Sequence, residues 1–361
     1  MAGPCKRRSR KAGAPLDASR RAAMIARASV VALGALPPLV QAAGEHDALH
    51  PAGAQAGLIL SLGQATATLC LLVFLAVLLA TALALWRAAR RDASRPPDLS
   101  SLDRPERGLN RVVVAATAVS VLALFALVLA DVFTDRALAE LPQDGALHIE
   151  LVGHQWWWEA RYPAEGGLVA FSTANELHIP VGRAVHLDLT SADVIHSVWL
   201  PNLAGKQDML PGRRAGLSLR AERTGVFRGQ CAEFCGVEHA LMVLTVHADT
   251  PQDYRAWQRR EAAPAADLPH AVRAGRQLFV EGDCARCHTV RGTPAAGSVG
   301  PDLTHVASRL TLAAGSVPNT HAMLAAWIAD PHAIKPGTTM PATRLAPADL
   351  AQLLAYLETL R

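Results

Sequence analysis

The chain has 361 residues, enough for two or three domains, and its 51% hydrophobic content with a positive mean hydropathy points to a part in the membrane. The net charge of +4 is modest, and the basic residues are mostly Arg near the N-terminus or between apolar runs, so nothing supports nucleic-acid binding. Four of the six cysteines fall in two tight motifs, while Cys5, in a basic tail, and Cys70, in an apolar run, read as unpaired bystanders.

Residues 1–43 combine basic positions (Lys6, Arg7, Arg8, Arg20, Arg21, Arg27), an apolar run from Ala28 to Val40, and the small residues Ala42 and Ala43. This is the pattern of a secretory signal peptide; the run is short and carries Pro37 and Pro38, which argues against a retained span. A transmembrane helical hairpin is expected over 55–133. Its two apolar helices, at about 57–86 and 112–132, each reach the length needed to cross a ~30 Å hydrocarbon core. Seven Arg lie between Arg87 and Arg111, whereas His46 to Leu85 holds no Lys or Arg. The positive-inside rule puts that loop in the cytoplasm and everything after Asp131 outside.

From 146 to 250 the pattern changes to short alternating runs, such as Leu147 to Val152 and Ala184 to Thr190, the signature of an all-β sandwich. Within it Cys231, Cys235, His239 and Met242 place two thiols, an imidazole and a thioether in one loop. Thiolate and thioether are soft donors and imidazole is borderline, a set that favours copper. Zinc could use the Cys pair and the His but gains little from Met242, and a Cys231–Cys235 disulfide is the bland alternative. His196, at a strand end in Ser191-Ala-Asp-Val-Ile-His-Ser, is expected to join them, because a cupredoxin-like sandwich takes one ligand from an inner strand and the rest from a late loop.

Residues 251–267 are rich in Ala, Pro and charge and read as a linker, a flexible tether or a short helix. Over 268–361 an all-α class I cytochrome c domain is expected. Cys284-Ala-Arg-Cys287-His288 has the C-x-x-C-H pattern of covalent haem c attachment, with His288 as proximal iron ligand. Met340, in the stiff loop Lys335-Pro-Gly-Thr-Thr-Met-Pro, is the candidate second axial ligand. The rival Met323 lies in a run of helical period and reads as core. A last helix is expected from Pro347 to Leu360, with Leu350, Leu353, Leu354 and Leu357 on one face.

With these motifs in place, residues 55 to 361 resemble cytochrome c oxidase subunit II of the kind with a cytochrome c domain fused at its C-terminus. The resemblance rests on Gly153-His-Gln-Trp-Trp-Trp, Asp193-Val-Ile-His-Ser, Lys206-Gln-Asp-Met-Leu-Pro-Gly-Arg and Gly229-Gln-Cys-Ala-Glu-Phe-Cys-Gly. It implies a dinuclear copper A centre bridged by Cys231 and Cys235, with His196 and His239 each on one copper and Met242 and the Glu233 carbonyl as weak ligands. It implies a magnesium ion held by the Glu233 side chain at the boundary with subunit I, and electron entry through an exposed Trp156 ring, with Trp157 and Trp158 as packing. Asp193 and Asp208 match acidic positions that dock cytochrome or tune copper ligands. The implied partners are oxidase subunits I and III, a cytochrome c or similar donor, and membrane lipid. The implied place is a bacterial plasma (inner) membrane, with the copper and haem domains on the periplasmic face.

The resemblance therefore implies the electron-entry subunit of a proton-pumping cytochrome c oxidase, with oxygen reduction residing in subunit I. A copper A subunit of a nitric oxide reductase would look similar in this chain. A membrane-anchored copper-delivery protein would lack Met242, the Trp-rich segment and the haem, and a quinol oxidase subunit would have lost the copper ligands. One departure stands out: the family's acidic residue at the start of the second membrane helix aligns with Asn110, and Glu106, a turn away, is expected to be no effective substitute.

Overall fold

The computed structural model describes residues 47–90, 107–139, 144–164, 166, 170–266 and 270–361. The expected signal peptide, Cys5 and Glu106 lie outside them. The two apolar runs form α1 (Ala54–Ala89) and α2 (Arg107–Ala139), with their apolar side chains exposed, as lipid-facing helices require. At 1.5 Å per residue they are about 50 Å long, so both exceed the hydrocarbon core. Asn110 lies exposed in the first turn of α2.

α1 begins against the sandwich rather than free in solvent. The Ala52 and Gly53 N–H groups donate to Asn202 O, Ala54 N–H donates to Arg220 O, and Gln55 Oε1 accepts from Arg220 N–H at 3.0 Å. These bonds satisfy the orphan donors of the helix start and fix the span to the domain it carries.

The sandwich contains β1 (Leu147–His154), β2 (Trp157–Tyr162), β3 (Phe171–Ala174), β4 (Glu176–Pro180), β5 (Val185–Ser191), β6 (His196–Trp199), β7 (Lys206–Met209), β8 (Ala215–Leu219), β9 (Gly225–Cys231) and β10 (Val243–Asp249). One sheet has the order β3-β2-β1-β5-β8 and the other β4-β10-β9-β6-β7. β1 runs parallel to β5 and β10 parallel to β4, while the other pairings in these sheets are antiparallel. Alternation puts Leu147, Ile149 and Leu151 of β1 and Val185, Leu187 and Leu189 of β5 into the core between the sheets.

Of the two forms expected for the linker stretch, a flexible tether or a short helix, the helix is the one present. α3 (Pro251–Ala262) starts with the Thr250 side chain accepting from Asp253 N–H at 3.1 Å and Pro251 in the first turn. Its Tyr254 and Trp257 are buried in the sandwich core, and Trp257 meets Tyr162 and Phe171 edge to face. Two large rings at i and i+3 give this polar segment one apolar face, which anchors the helix.

The C-terminal domain packs α4 (Arg273–Glu281) against α8 (Pro347–Leu357), with the one-turn α5 (Cys284–Cys287), α6 (His321–Ala329) and α7 (Pro331–Ile334) between them. A Cβ on Gly275 would lie 2.0 Å from Gln352 O, so only glycine permits this close crossing, beside which Phe279 meets Tyr356. Met323 is a correction to the expected core. On α6 it is Leu324 and Ile328, four residues apart, that turn inward, and Met323 is left 37% exposed.

Candidate metal centre and haem site

β6 and β9 pair with Val198 opposite Cys231, which brings His196, at the start of β6, beside the end of β9. The loop from 232 to 242 then folds back over this edge. Cys231 N–H donates to Met242 O at 3.1 Å and Ala232 N–H to Ser197 O at 2.8 Å, closing the loop at both ends.

Six donors converge there. The Cys231 and Cys235 sulfurs are 3.7 Å apart; His196 Nδ1 lies 3.8 Å and Glu233 O 3.2 Å from Cys231 Sγ. His239 Nδ1 lies 3.6 Å and Met242 Sδ 3.9 Å from Cys235 Sγ. The sulfurs are far outside the ~2.05 Å of a disulfide, and both thiols are free. His196, Cys231, Cys235 and Met242 are buried, His239 is half-buried, and the Glu233 side chain points out. A dry nest of thiolate, imidazole and thioether fits copper by the softness of its donors.

The surroundings prepare these atoms for a cation. Asp193 Oδ1 lies 2.8 Å from His196 Nε2, and because a carboxylate only accepts, Nε2 carries the proton and Nδ1 offers its lone pair to the nest. Asp193 Oδ2 in turn accepts from Gln155 N–H at 2.6 Å. Burial lowers the His196 pKa, but hydrogen bonds to Cys231 and Asp193 outweigh it and the net direction is upward. A hydrogen bond from the Cys235 thiol holds Cys231 well below the ordinary thiol range, and the same bond pushes Cys235 up. The first proton leaves the pair readily and the second is retained, the behaviour of two thiols that share one charge. A Cβ on Gly153 would lie 2.8 Å from His196 Cδ2, so glycine alone leaves room for the ring.

In the C-terminal domain Cys284 and Cys287 bound one helical turn, both half-buried with free thiols. His288 follows, its N–H donating to Cys284 O at 2.9 Å, and its Nδ1 lies 2.8 Å from Pro301 O. The carbonyl fixes the proton on Nδ1 and leaves Nε2 as the free ligand atom, while burial lowers the ring's pKa and keeps it neutral. Gly300 packs against the ring; a Cβ there would sit 2.5 Å from His288 Cε1. This arrangement fits a covalently held haem with His288 on its iron. Met340 is half-buried in the loop between α7 and α8.

Trp156 departs from the exposed ring expected of it. It is half-buried, its Nε1–H donates to Cys235 O at 3.0 Å, and its own carbonyl accepts from Lys335 Nζ at 2.7 Å. Trp158 is fully buried beside His196, and Trp157 stacks on His154. Asp208 is exposed on β7. The Trp156 ring packs against the sandwich core, while its carbonyl lies at a seam between the two domains. Lys335, 3% exposed, also donates to Leu241 O at 2.8 Å; Gly337 N–H donates to the buried Glu238 side chain at 2.6 Å; Val243 N–H donates to Ala314 O. On the far side Arg291 donates to Ala262 O and His305 Nε2 lies 3.0 Å from Ala263 O. Burial pushes the Lys335 amine down to about 8, against the opposing pull of Glu238. Lys335 was legible only as part of the Met340 loop; nothing in its local sequence announces a buried cation.

A paired membrane helix, a copper-fit loop on a two-sheet sandwich and a C-x-x-C-H helical domain together define a membrane-anchored electron-transfer protein. Residues 163–249 match the family described as "Cytochrome C oxidase subunit II, periplasmic domain", and residues 272–361 match "Cytochrome c". The cytochrome c oxidase subunit 2 of Alkalihalophilus pseudofirmus is 34% identical over 274 residues, 74% of this chain and 78% of that one. The Bacillus subtilis subunit 2 is 29% identical over 285 residues, 73% of this chain and 78% of that one. Among solved structures, the periplasmic domain of the Bradyrhizobium japonicum subunit II is 32% identical, covering 32% of this chain and 92% of that one with a TM-score of 0.30. The chain belongs to the cytochrome c oxidase subunit 2 family, in the form that carries both a copper A domain and a cytochrome c domain.

Proposed function

We propose that this chain is the electron-entry subunit of a proton-pumping cytochrome c oxidase, accepting electrons from cytochrome c and handing them through haem c and a dinuclear copper A centre to subunit I, where oxygen is reduced to water. The observation that carries this reading is the convergence of six donors around two thiols 3.7 Å apart, on a chain that also bears a haem-attachment turn. When bound, the copper pair and the haem supply one-electron redox chemistry at nearly fixed geometry.

The residues have separate tasks. Cys231, Cys235, His196, His239, Met242 and the Glu233 carbonyl would hold the copper pair, whose one-electron chemistry the two thiolates would serve. Asp193 fixes the His196 tautomer, and Gly153 makes space for its ring. Cys284 and Cys287 would anchor the haem covalently, and His288 and Met340 would be the residues that hold its iron. The exposed Glu233 side chain would hold magnesium at the boundary with subunit I. Phe234 and Val237, exposed beside it, give this rim an apolar surface that supports docking on that subunit. Trp156, whose Nε1–H donates to Cys235 O, would lead the electron to the copper nest. Subunit III and the lipid of a bacterial inner membrane complete the surroundings, with both redox domains on the periplasmic face.

The test is low-temperature EPR with copper and iron quantification on the full chain matured in a periplasm. Two coppers per chain with one mixed-valence signal shared over both nuclei, beside one low-spin haem, is the expected result. A single localised copper, or Cys231 and Cys235 recovered as a disulfide, would sink the assignment.

A further inference from the structure

A second cluster of metal-binding side chains lies away from the copper nest, on the outer face of the sheet that begins with β4. β4 and β10 run parallel with His178 opposite His247, and Glu176 precedes His178 by two residues on the same face. One ligand atom from each of Glu176, His178 and His247 lies within 4.8 Å of the others. We infer that Glu176, His178 and His247 form a binding site for a zinc-class divalent cation at the seam between the copper and cytochrome domains.

Four features favour an ion over plain packing. His178 Nδ1 lies 2.7 Å from Asp249 Oδ2, and because the carboxylate only accepts, the ring's Nε2 is left with its lone pair, the carboxylate–histidine arrangement that orients metal ligands. Trp257 stacks on His178 at 4.1 Å and holds the ring in that plane. His247 Nε2 is buried with no hydrogen-bond partner, a defect that native interiors rarely keep and that a bound ion removes. Glu176 is 7% exposed and uses Oε1 to accept from Leu310 N–H at 2.8 Å, so a second carboxylate oxygen remains to bind.

Room and charge agree with this. A cavity of about 130 Å³ borders all three residues, with Glu261, Arg260, Arg309 and Arg361 on its walls. On the walls Glu176 and Glu261 oppose the three arginines, Asp249 adds a carboxylate behind His178, and Arg309 is engaged with Asp302 O. A buried carboxylate on the wall disfavours an anion as occupant. The His178 and His247 rings stack parallel, 4.2 Å apart, and one ligand nitrogen of each lies within 4.8 Å of the other and of a Glu176 oxygen. Two imidazoles and one carboxylate with space for water match a zinc-type site with an open position, and the lack of thiolate separates it chemically from the copper nest.

The experiment uses the copper- and haem-loaded full chain, stripped of loose metal by a mild chelator and titrated with zinc chloride against a chromophoric competitor. One zinc per chain beyond copper and iron is expected, with X-ray absorption showing nitrogen and oxygen but no sulfur neighbours. His247→Gln abolishes the binding, and Asp249→Asn weakens it about 10–100-fold. Haem absorbance and the copper EPR signal, both unchanged, show that the variants fold. No zinc in excess, zinc with sulfur neighbours, or binding indifferent to His247→Gln would each overturn the site.

Discussion

Asp193 accepts from three donors at once, the His196 ring at 2.8 Å, the Gln155 backbone N–H at 2.6 Å and the Val194 N–H at 2.7 Å. Asp193→Asn keeps the size, but an amide can present either an N–H or an oxygen to the ring and no longer dictates which nitrogen of His196 faces the thiols. Copper affinity is expected to fall about 10–100-fold, read by competition with a copper chelator on the whole chain, with the haem spectrum as a control for folding. An unchanged affinity would mean that packing against Gly153 alone holds the ring. Cys231, Cys235, His239 and Met242 were legible because they share one loop, where residue type and spacing are the chemistry. His196, 35 residues earlier than Cys231, became legible only through the expectation of a sandwich that pairs its strand with the loop. Gly153 and Lys335 were not, since their roles lie in distances to residues far along the chain, and no local pattern encodes such a distance.

Periodicity located the membrane helices, the sandwich strands and the last helix, because in each the burial of one face or the whole surface sets the pattern. For α3 the composition left a tether and a short helix open, because its docking rests mainly on two rings, Tyr254 and Trp257, too few to set a period. Trp257 in turn stacks on His178, so α3 covers the β4–β10 edge beside His247, which is half-buried with its Nε2 out of water. Burial drops the His247 pKa from 6.5 to about 4, so the native protein binds fewer protons than the unfolded chain between those values. This contribution to stability is fully present above pH 6.5 and is lost as the pH falls through the window to 4. At 1.36 kcal/mol per pH unit, with a discount for partial solvent screening, the loss is on the order of 2–3 kcal/mol. In chelator, denaturant unfolding of the full chain at a series of pH values should show this slope, and His247→Phe should flatten it. A variant slope equal to the parent's would assign the acid sensitivity to other groups.

Two redox domains in one chain can work by encounter within a tether or by fixed docking, and the two modes predict different chemistry for the whole molecule. A tether supplies an effective concentration in the millimolar range and asks nothing of individual contacts. The seam found here is specific: Lys335, at the head of the loop that ends in Met340, reaches the carbonyls of Trp156 and Leu241, the latter one residue before Met242. Glu238 meets Gly337 N–H of the same loop. The loop expected to ligate the haem iron is thus bonded to the loop that forms the copper nest. Lys335→Met keeps the apolar stem but leaves buried carbonyls unsatisfied, at about 1–3 kcal/mol. At 1.4 kcal/mol per tenfold, the docked population should fall by roughly tenfold wherever the seam is marginal. In the assembled oxidase, rapid photoreduction of haem c followed by copper reduction should then slow by a similar factor, while the haem and copper spectra stay unchanged. Lys335→Arg, which keeps the charge and donors, should recover part of the rate. If Lys335→Met transfers electrons as fast as the parent, encounter within the tether sets the rate, and the seam is packing without consequence for electron transfer.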